Sequence, residues 1–328
     1  MRTRGMRNPF RWADGERLIV FGRGTVEDAV DTLGGPGYTL LTTARAKDAA
    51  PGVVAAADRL VIVPSGHVDQ LAADLLPEIS GERLVALGGG RVVDTAKALA
   101  AAKGGRAMAV PTTLSGAEMT RIHRHATGVD ESTPRVRCAV VVIDPALAAS
   151  QPVDELGAST LNALGHAIEA PCMVNANPVA TLAAHEAVRL LRDGWARRVP
   201  DRDTLALGSL LAGYALDNTG LALHHVLAQT LVRMAGVAHG AANAAMLPHS
   251  IGALAWRRPE AINALTAAVG EDLADIVRRI GTPTLTDLGV EPSVLPGCAD
   301  AAAARPQLRG TPPPADRAEI LALYESAL

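Results

Sequence analysis

The stretch that decides the fold is VALGGGRVV, residues 85–93, in which an apolar run ends in three glycines and a second apolar run begins. Glycine lets the backbone approach a ligand closely, and the first amides of a helix are unpaired and lie at the positive end of its dipole. Such a junction suits a phosphate group, so a nucleotide cofactor is the first hypothesis. An isolated glycine triplet is equally compatible with a simple strand-to-helix turn.

A second turn of the same kind supports the nucleotide hypothesis. The next apolar run, AMAV at residues 107–110, leads into PTTLSGAE at residues 111–118, which is polar and contains a glycine. Open α/β sheets bind their ligands at the carboxyl ends of the strands. The second turn also lies at the carboxyl end of a predicted strand, which favours the nucleotide hypothesis over a simple turn.

Short β-rich runs alternate with helical runs in the first half of the chain. The β-rich runs are residues 17–22, 38–43, 59–64, 83–88, 107–111 and 137–144. This alternation predicts a doubly wound, mostly parallel sheet, in which the polar residues 120–134 form a loop. After Asp144-Pro145 only helical patterns remain. We therefore predict an α/β domain over residues 1–147 and an all-α domain over residues 148–328.

Composition limits the classes of partner. A formal net charge of -3 provides no basic surface for nucleic acid or for an anionic membrane. No apolar run approaches the ~18 residues of a membrane span, and the arginine-rich start of the chain lacks the apolar core of a signal peptide. The three cysteines form no CxxC pair, which argues against a disulfide framework and a thiolate zinc site. We expect a cytoplasmic protein with a small-molecule substrate.

Histidines are the candidate chemical groups of the helical half. Asn162 and His166 are four residues apart, as are His225 and Gln229, so each pair lies on one helix face, and His239 follows. Imidazoles that converge from separate helices bind a metal, or hold and protonate an anionic substrate. Each histidine alone is more often an ordinary core or surface residue, and the sequence leaves the choice open.

Taken together, these motifs resemble the iron-containing alcohol dehydrogenase superfamily, and within it the maleylacetate reductases. They are Gly88-Gly89-Gly90 with Asp94 and Lys97, PTTLSGAEMT at residues 111–120, Asp144-Pro145, Asn162 with His166, NANP at residues 175–178, ALHH at residues 222–225 and LPH at residues 247–249. The resemblance implies a dehydroquinate synthase-like fold, in which NAD(P)H lies in the cleft between the α/β domain and the helical domain. It also implies a homodimer.

The resemblance assigns the cofactor-binding residues to the two glycine-bearing turns. They are Gly88, Gly89, Gly90, Asp94, Thr112, Thr113 and Ser115. The glycines would hold the pyrophosphate, and the residues after the next strand would line the ribose and nicotinamide. The second predicted strand ends in TTAR at residues 42–45, without an acidic residue for the ribose 2′-hydroxyl. We therefore expect NADPH to be accepted as well.

The superfamily's four metal ligands, one aspartate and three histidines, fall on Asn162, His166, His225 and His239. A neutral amide at the first position is a weak ligand, so affinity for iron or zinc should fall steeply. Maleylacetate reductases resemble this chain at that position and are thought to act without a metal. We expect metal-free operation, although three histidines with a water would still be compatible with zinc.

Three further departures from the family pattern affect the choice of substrate. Gln229 replaces a histidine that would act as a proton donor, Val232-Arg233 replaces a glycine pair, and Arg91 replaces a serine. The leading hypothesis is an NAD(P)H-dependent oxidoreductase that reduces a small carbonyl or enone carboxylate. His225, His166 and His239 would be its catalytic residues.

Three alternatives stay open on the sequence alone. The first is a metal-dependent alcohol dehydrogenase that uses zinc or iron. The second is an enzyme of the dehydroquinate synthase type, which the absence of lysine after Lys103 disfavours. The third is a catalytically silent homologue with a binding role, and Gln229 and Arg91 are the kind of change that such a loss would leave.

Overall fold

The computed structural model describes residues 9–79 and 83–328. The chain divides into two compact units. The first contains the residues up to Pro152 together with Arg202–Leu207, and the second contains Val153–Asp201 and Gly208–Leu328. The first unit is built on a sheet, and the second is helical.

The sheet of the first unit has seven strands in the order β1-β2-β7-β6-β5-β3-β4. Their bounds are β1 Phe10–Asp14, β2 Arg17–Phe21, β3 Tyr38–Thr42, β4 Ala57–Ile62, β5 Arg83–Gly88, β6 Arg106–Pro111 and β7 Val140–Ile143. Every neighbouring pair is parallel except β1 and β2. The predicted doubly wound, mostly parallel sheet is confirmed.

Strand β1 is the element that the sequence analysis missed. It is an edge strand whose residues alternate between half-buried and exposed, and it joins β2 through a short antiparallel hairpin. The central strands, by contrast, are buried along nearly their whole length, so they appear in the sequence as continuous apolar runs. An alternating edge strand carries no such signal.

The core of the first unit lies between the sheet and its helices. Apolar side chains of the central strands, such as Leu40, Val85 and Val142, pack there with Leu33 and Val53. The helices are α1 Ala29–Thr32, α2 Pro51–Ala55, α3 Val68–Leu75 and α4 Gly90–Lys103. Residues 120–134 contain neither helix nor strand, as predicted.

The second unit contains only helices among its described residues, which confirms the predicted all-α half. The helices after β7 are α5 Val153–Glu169, α6 Pro178–Trp195, α7 Arg202–Thr219, α8 Leu223–Met234, α9 His239–Arg257, α10 Pro259–Val269, α11 Leu273–Ile280, α12 Leu295–Ala303 and α13 Arg317–Glu325. Asn177 begins α6 by accepting a hydrogen bond from the Ala180 amide at 3.0 Å. Within residues 9–79 and 83–328, no helix is long and apolar enough to cross a membrane.

Candidate active site

The glycine triplet lies at the junction of a strand and a helix. Strand β5 ends at Gly88, Gly89 is the N-cap in an extended conformation, and Gly90 begins α4. A helix start with small residues brings backbone amides to a phosphate. The local structure on which the nucleotide hypothesis depends is therefore present.

The turn after β6 packs directly on the triplet. The Thr112 amide donates to the Gly88 carbonyl at 3.0 Å. A Cβ added to Gly89 would lie 3.1 Å from Cγ2 of Thr113, and one added to Gly90 would lie 3.0 Å from Cβ of Ser115. The two turns form one cradle that only glycine leaves open, which fits the close approach of a dinucleotide backbone.

Asp94 differs from the other predicted cofactor-binding residues, because its carboxylate pairs with a lysine. Oδ1 of Asp94 lies 2.8 Å from Nζ of Lys97, which is fully buried. Nζ of Lys97 also donates to the carbonyls of Ala117 and Thr120, at 2.8 and 2.9 Å. Asp94 thus supports the turn after β6 through Lys97. Burial raises the pKa of Glu118, in the same segment, to about 7, so this carboxyl group titrates near neutral pH.

The structure brings two of the predicted catalytic histidines together in the second unit. His166 projects from α5 and His225 from α8, and both side chains are buried. Their rings stack with centroids 4.8 Å apart and planes inclined by 21°. Residues from two helices thus form one imidazole cluster, which the sequence alone could not establish.

Glu169 organises this cluster and was missed by the sequence analysis. Its fully buried carboxylate accepts from Nδ1 of His225 at 2.7 Å and from the Ala222 amide at 3.0 Å through Oε2. Oε1 accepts from the His224 amide at 2.7 Å. These amides belong to the start of α8, so Glu169 caps one helix from another. The available signal was its place on the same face of α5 as Asn162 and His166, inside an apolar run.

Two buried ring nitrogens of the cluster, Nε2 of His225 and Nδ1 of His166, have no hydrogen-bond partner in the described ranges. Buried polar atoms normally have a hydrogen-bond partner, so two unpartnered nitrogens in one cluster indicate a ligand-binding site. Burial, followed by the neighbouring His225, His239 and His224, holds the pKa of His166 well below its usual value. His166 is therefore a neutral ring at physiological pH.

His224 supports the cluster from behind. Its Nδ1 lies 3.0 Å from Oγ of Ser250, which itself donates to the Met246 carbonyl at 2.7 Å. Because the Ser250 hydroxyl donates its hydrogen to that carbonyl, its oxygen can only accept from the ring, and Nδ1 of His224 is the protonated nitrogen. A Cβ on Gly165 would collide with the other ring nitrogen of His224. Burial also lowers the pKa of His224 well below its usual value, so this ring is a neutral packing element.

The remaining predicted positions are arranged less tightly. Asn162 is buried on α5, whereas His239 begins α9 and is exposed, with Nε2 located 3.2 Å from Nδ2 of Asn243. Among the residues that the structure describes, no three His, Cys, Asp or Glu side chains are placed to hold a metal ion. Gln229, one turn after His225, accepts from Nη2 of Arg305 at 2.9 Å.

Comparisons with known proteins agree with this architecture. The model of the Fe-containing alcohol dehydrogenase family, C-terminal, matches residues 157–328, and that of iron-containing alcohol dehydrogenase matches residues 54–151. Maleylacetate reductase 1 of Rhodococcus opacus is 33% identical over 73% of this chain and 71% of its own length. A maleylacetate reductase of Rhizobium sp. is 29% identical over 97% of both chains.

A solved structure extends the likeness to the whole fold. The crystal structure of maleylacetate reductase from Agrobacterium tumefaciens matches with a TM-score of 0.83 and 28% identity, over 98% of this chain and 99% of that one. The motifs, the order of the two units and these matches all lead to one assignment. The chain belongs to the iron-containing alcohol dehydrogenase family.

Proposed function

We propose that this oxidoreductase is an NAD(P)H-dependent reductase of a small carbonyl or enone compound that carries carboxylate groups, as maleylacetate does. Family membership and the similarity to maleylacetate reductases support the reaction class. The observation that carries the proposal is the pair of buried, unpartnered ring nitrogens on His166 and His225, backed by the Glu169 carboxylate. The alternatives of a silent homologue and a dehydroquinate synthase-type enzyme gain no support from the relatives.

The cofactor is assigned to the cradle of the first unit. Gly88, Gly89 and Gly90 would hold the pyrophosphate at the start of α4, and Thr112, Thr113 and Ser115 would line the ribose and nicotinamide side. Asp94 would contribute by keeping Lys97 and the turn after β6 in place. When bound, NAD(P)H supplies the hydride. The strand β3 ends at Thr42 without a following acidic residue, which favours acceptance of NADPH beside NADH.

The histidine cluster would bind and protonate the substrate. Hydride addition to a ketone or to an enone sends an electron pair onto the carbonyl oxygen, which then needs a hydrogen-bond donor and a proton. His225 can provide both through Nε2 when the ring is protonated, because Glu169 faces Nδ1 and stabilises the positive charge. Neutral His166 would orient the same oxygen, and exposed His239 would hold a substrate carboxylate.

We further propose that this chemistry proceeds without a bound metal. Asn162 is a neutral amide at a position where a carboxylate would bind a divalent cation more strongly. Among the described residues no three His, Cys, Asp or Glu side chains are placed to hold a metal ion, so no step is assigned to a metal. The imidazoles and the Glu169 carboxylate supply the polarisation instead.

Metal independence predicts full activity after treatment with EDTA and little iron or zinc in the purified protein, measured by elemental mass spectrometry. Replacing Asn162 by Asp should then raise zinc affinity about tenfold or more, because a charged oxygen is added beside the imidazoles. Asn218→Asp, a change at an exposed position of α7, is the matched control and should leave zinc affinity unchanged. Stoichiometric metal that is lost together with activity contradicts the proposal.

The cradle predicts that Gly89→Val weakens NAD(P)H binding about tenfold or more, because the new side chain meets Thr113 and keeps the pyrophosphate from the helix start. A fluorescence titration of the reduced cofactor measures this. Gly52→Val in α2, where an added Cβ meets nothing within 4 Å, is the control and should bind as the parent does. Unchanged binding by Gly89→Val would place the cofactor elsewhere.

The reaction itself is tested by following the oxidation of NADH and NADPH optically with maleylacetate and other oxo- or enone dicarboxylates. We expect turnover with dicarboxylates and none with matched neutral esters, because histidines select the charged groups. Turnover that appears only after zinc or iron is added would favour the metal-dependent alcohol dehydrogenase. Cofactor binding without turnover of any substrate in the panel would favour the silent homologue.

We also propose a reducing compartment, the cytoplasm, and a homodimer. All three cysteines are buried and free, which suits a reducing environment. The dimer rests on the family resemblance alone, and the molar mass in solution tests it.

A further inference from the structure

A cavity of about 330 Å³ opens in the first unit at the amino ends of three neighbouring strands. Its walls come from residues at the start of β2, at the start of β6 and just before β7. These strands are adjacent in the sheet, with Leu18 and Met108 both in register with Val140. The cavity thus lies at the opposite edge of the sheet from the glycine triplet, which follows the carboxyl end of β5.

Arginine dominates the walls of this cavity, which we call the arginine pocket. Its charged lining residues are Glu16, Arg17, Arg106, Arg121, Arg135 and Arg137. The chain as a whole carries a formal charge of -3, whereas this lining holds five arginines and one glutamate, and of the five Arg17 is balanced by Asp14. Like charges at close quarters repel unless an anion joins them, and a concave site concentrates their field.

The arginines differ in how far the protein already uses them. Arg17 is buried, pairs with Asp14 at 2.6 Å and donates to the Met119 carbonyl at 2.8 Å, so it is a structural residue. Arg135 is exposed, and among the described residues its guanidinium group uses only Nε, which donates to the His123 carbonyl at 2.9 Å. The Arg106 side chain is exposed and makes no hydrogen bond or ion pair with the described residues. The terminal nitrogens of Arg135 and the guanidinium of Arg106 therefore remain for a ligand.

We propose that the arginine pocket binds a small polyanion, a molecule with two or more phosphate or carboxylate groups. Guanidinium groups bind these oxyanions through paired hydrogen bonds, and several around one cavity select a ligand with several charges. The volume suits a small metabolite. Burial raises the pKa of the Cys138 thiol in the wall to about 12, so it stays protonated and the site binds without covalent chemistry.

A small molecule fits this surface better than a macromolecule does. The charge is confined to one cavity at a sheet edge, whereas a nucleic acid requires a basic stripe on a protein that is positive overall. The site is also separate from the proposed dinucleotide cradle, since β6 begins at the pocket and ends at the turn that covers the triplet. The two sites can therefore be disabled independently.

The test is isothermal titration of the full-length protein, at constant low ionic strength, with pyrophosphate and with citrate as separate probes. We expect one ion to bind per chain, and the stronger probe to indicate whether phosphate or carboxylate is preferred. The Arg106→Gln/Arg135→Gln double variant should weaken binding about tenfold or more, since it removes charge-assisted hydrogen bonds. Arg11→Gln, on β1 and outside the pocket, is the matched control and should bind as the parent does.

Gly89→Val separates this proposal from the proposed function, because it should lose NAD(P)H and retain the polyanion. The proposal is overturned if neither probe binds at millimolar concentration, or if Arg11→Gln weakens binding as much as the double variant does. It is also overturned if the double variant binds normally and Gly89→Val does not, since the anion then occupies the glycine triplet. A dimer that dissociates in the double variant, without anion binding by the parent, would instead make the pocket a subunit interface.

Discussion

Replacing His225 by Ala should lower turnover on the order of 10²-fold or more while leaving NAD(P)H affinity nearly unchanged. The side chain belongs to the second unit, whereas the residues assigned to the cofactor belong to the first, so we do not expect cofactor binding to depend on it. Its Nε2 is the buried nitrogen that we assign to the substrate oxygen. Without it, the negative charge that forms on that oxygen loses its acid and one of its two hydrogen-bonding groups, and only neutral His166 remains.

Gln229 makes this dependence on His225 stronger. An amide cannot supply a proton at neutral pH, and Oε1 of Gln229 is already engaged by Arg305. No second acid therefore stands one turn further along the same face of α8. The loss in the His225→Ala variant should therefore be close to the full contribution of general acid catalysis rather than partly compensated.

Single-turnover kinetics with a deuterated cofactor separate the hydride step from product release, and the predicted loss should appear in the hydride step. His249→Ala provides the matched control, because His249 lies outside the cluster and its Nδ1 contacts Oγ of Ser326 at 2.8 Å. That variant should turn over like the parent. Equal hydride-step rates for His225→Ala and the parent would make His225 a structural residue.

Glu169→Gln should lower turnover on the order of 10²-fold, because it changes which nitrogen of His225 carries the proton. In the parent, the carboxylate accepts from Nδ1 at 2.7 Å, so the ring gains its second proton at Nε2 beside the substrate. A glutamine amide facing Nδ1 would donate to it and leave a neutral ring that cannot release a proton to the substrate. Glu169 is thus a positioning residue that acts through His225.

Rescue by the conservative variant distinguishes this role from a purely structural one. Glu169→Asp, which keeps the negative charge, should retain part of the activity, whereas Glu169→Gln should lose kcat with little change in KM. Glu186→Gln, at a half-buried ion pair on α6, is the control. Equal losses of kcat in Glu169→Asp and Glu169→Gln would contradict the positioning role.

Glu169→Gln should also destabilise the fold by about 1–3 kcal/mol, measured by denaturant unfolding. The carboxylate accepts from two buried amides at the start of α8 as well as from the ring of His225. A carboxamide has one acceptor oxygen instead of two. One of these buried N–H groups would therefore face the NH₂ group of the glutamine and lose its acceptor. Activity and stability are measured on the same samples, so that a poorly folded fraction is not mistaken for a catalytic effect.

The architecture could be predicted from the sequence because its signals are local. Buried parallel strands appear as apolar runs, and α6 begins and α11 ends at residues that cap within one turn, Asn177 and Gly281. The glycine triplet marks the turn between β5 and α4 in the same way. Edge strand β1 was not predicted, because a hairpin strand that alternates between half-buried and exposed residues lacks a continuous apolar run.

The combination of the chemical groups, by contrast, depends on tertiary packing. Glu169 and His225 are 56 residues apart, and Arg17 and Met119 are 102 apart, so their contacts depend on how whole elements pack. The same holds for the arginine pocket, whose residues come from three strand starts that are neighbours in the sheet and from the segment between β6 and β7. A sequence pattern indicates which side chains could react. The burial and the hydrogen-bond partner of each side chain determine its charge and its orientation. Both arise when distant segments pack together, because desolvation and hydrogen bonding act through space.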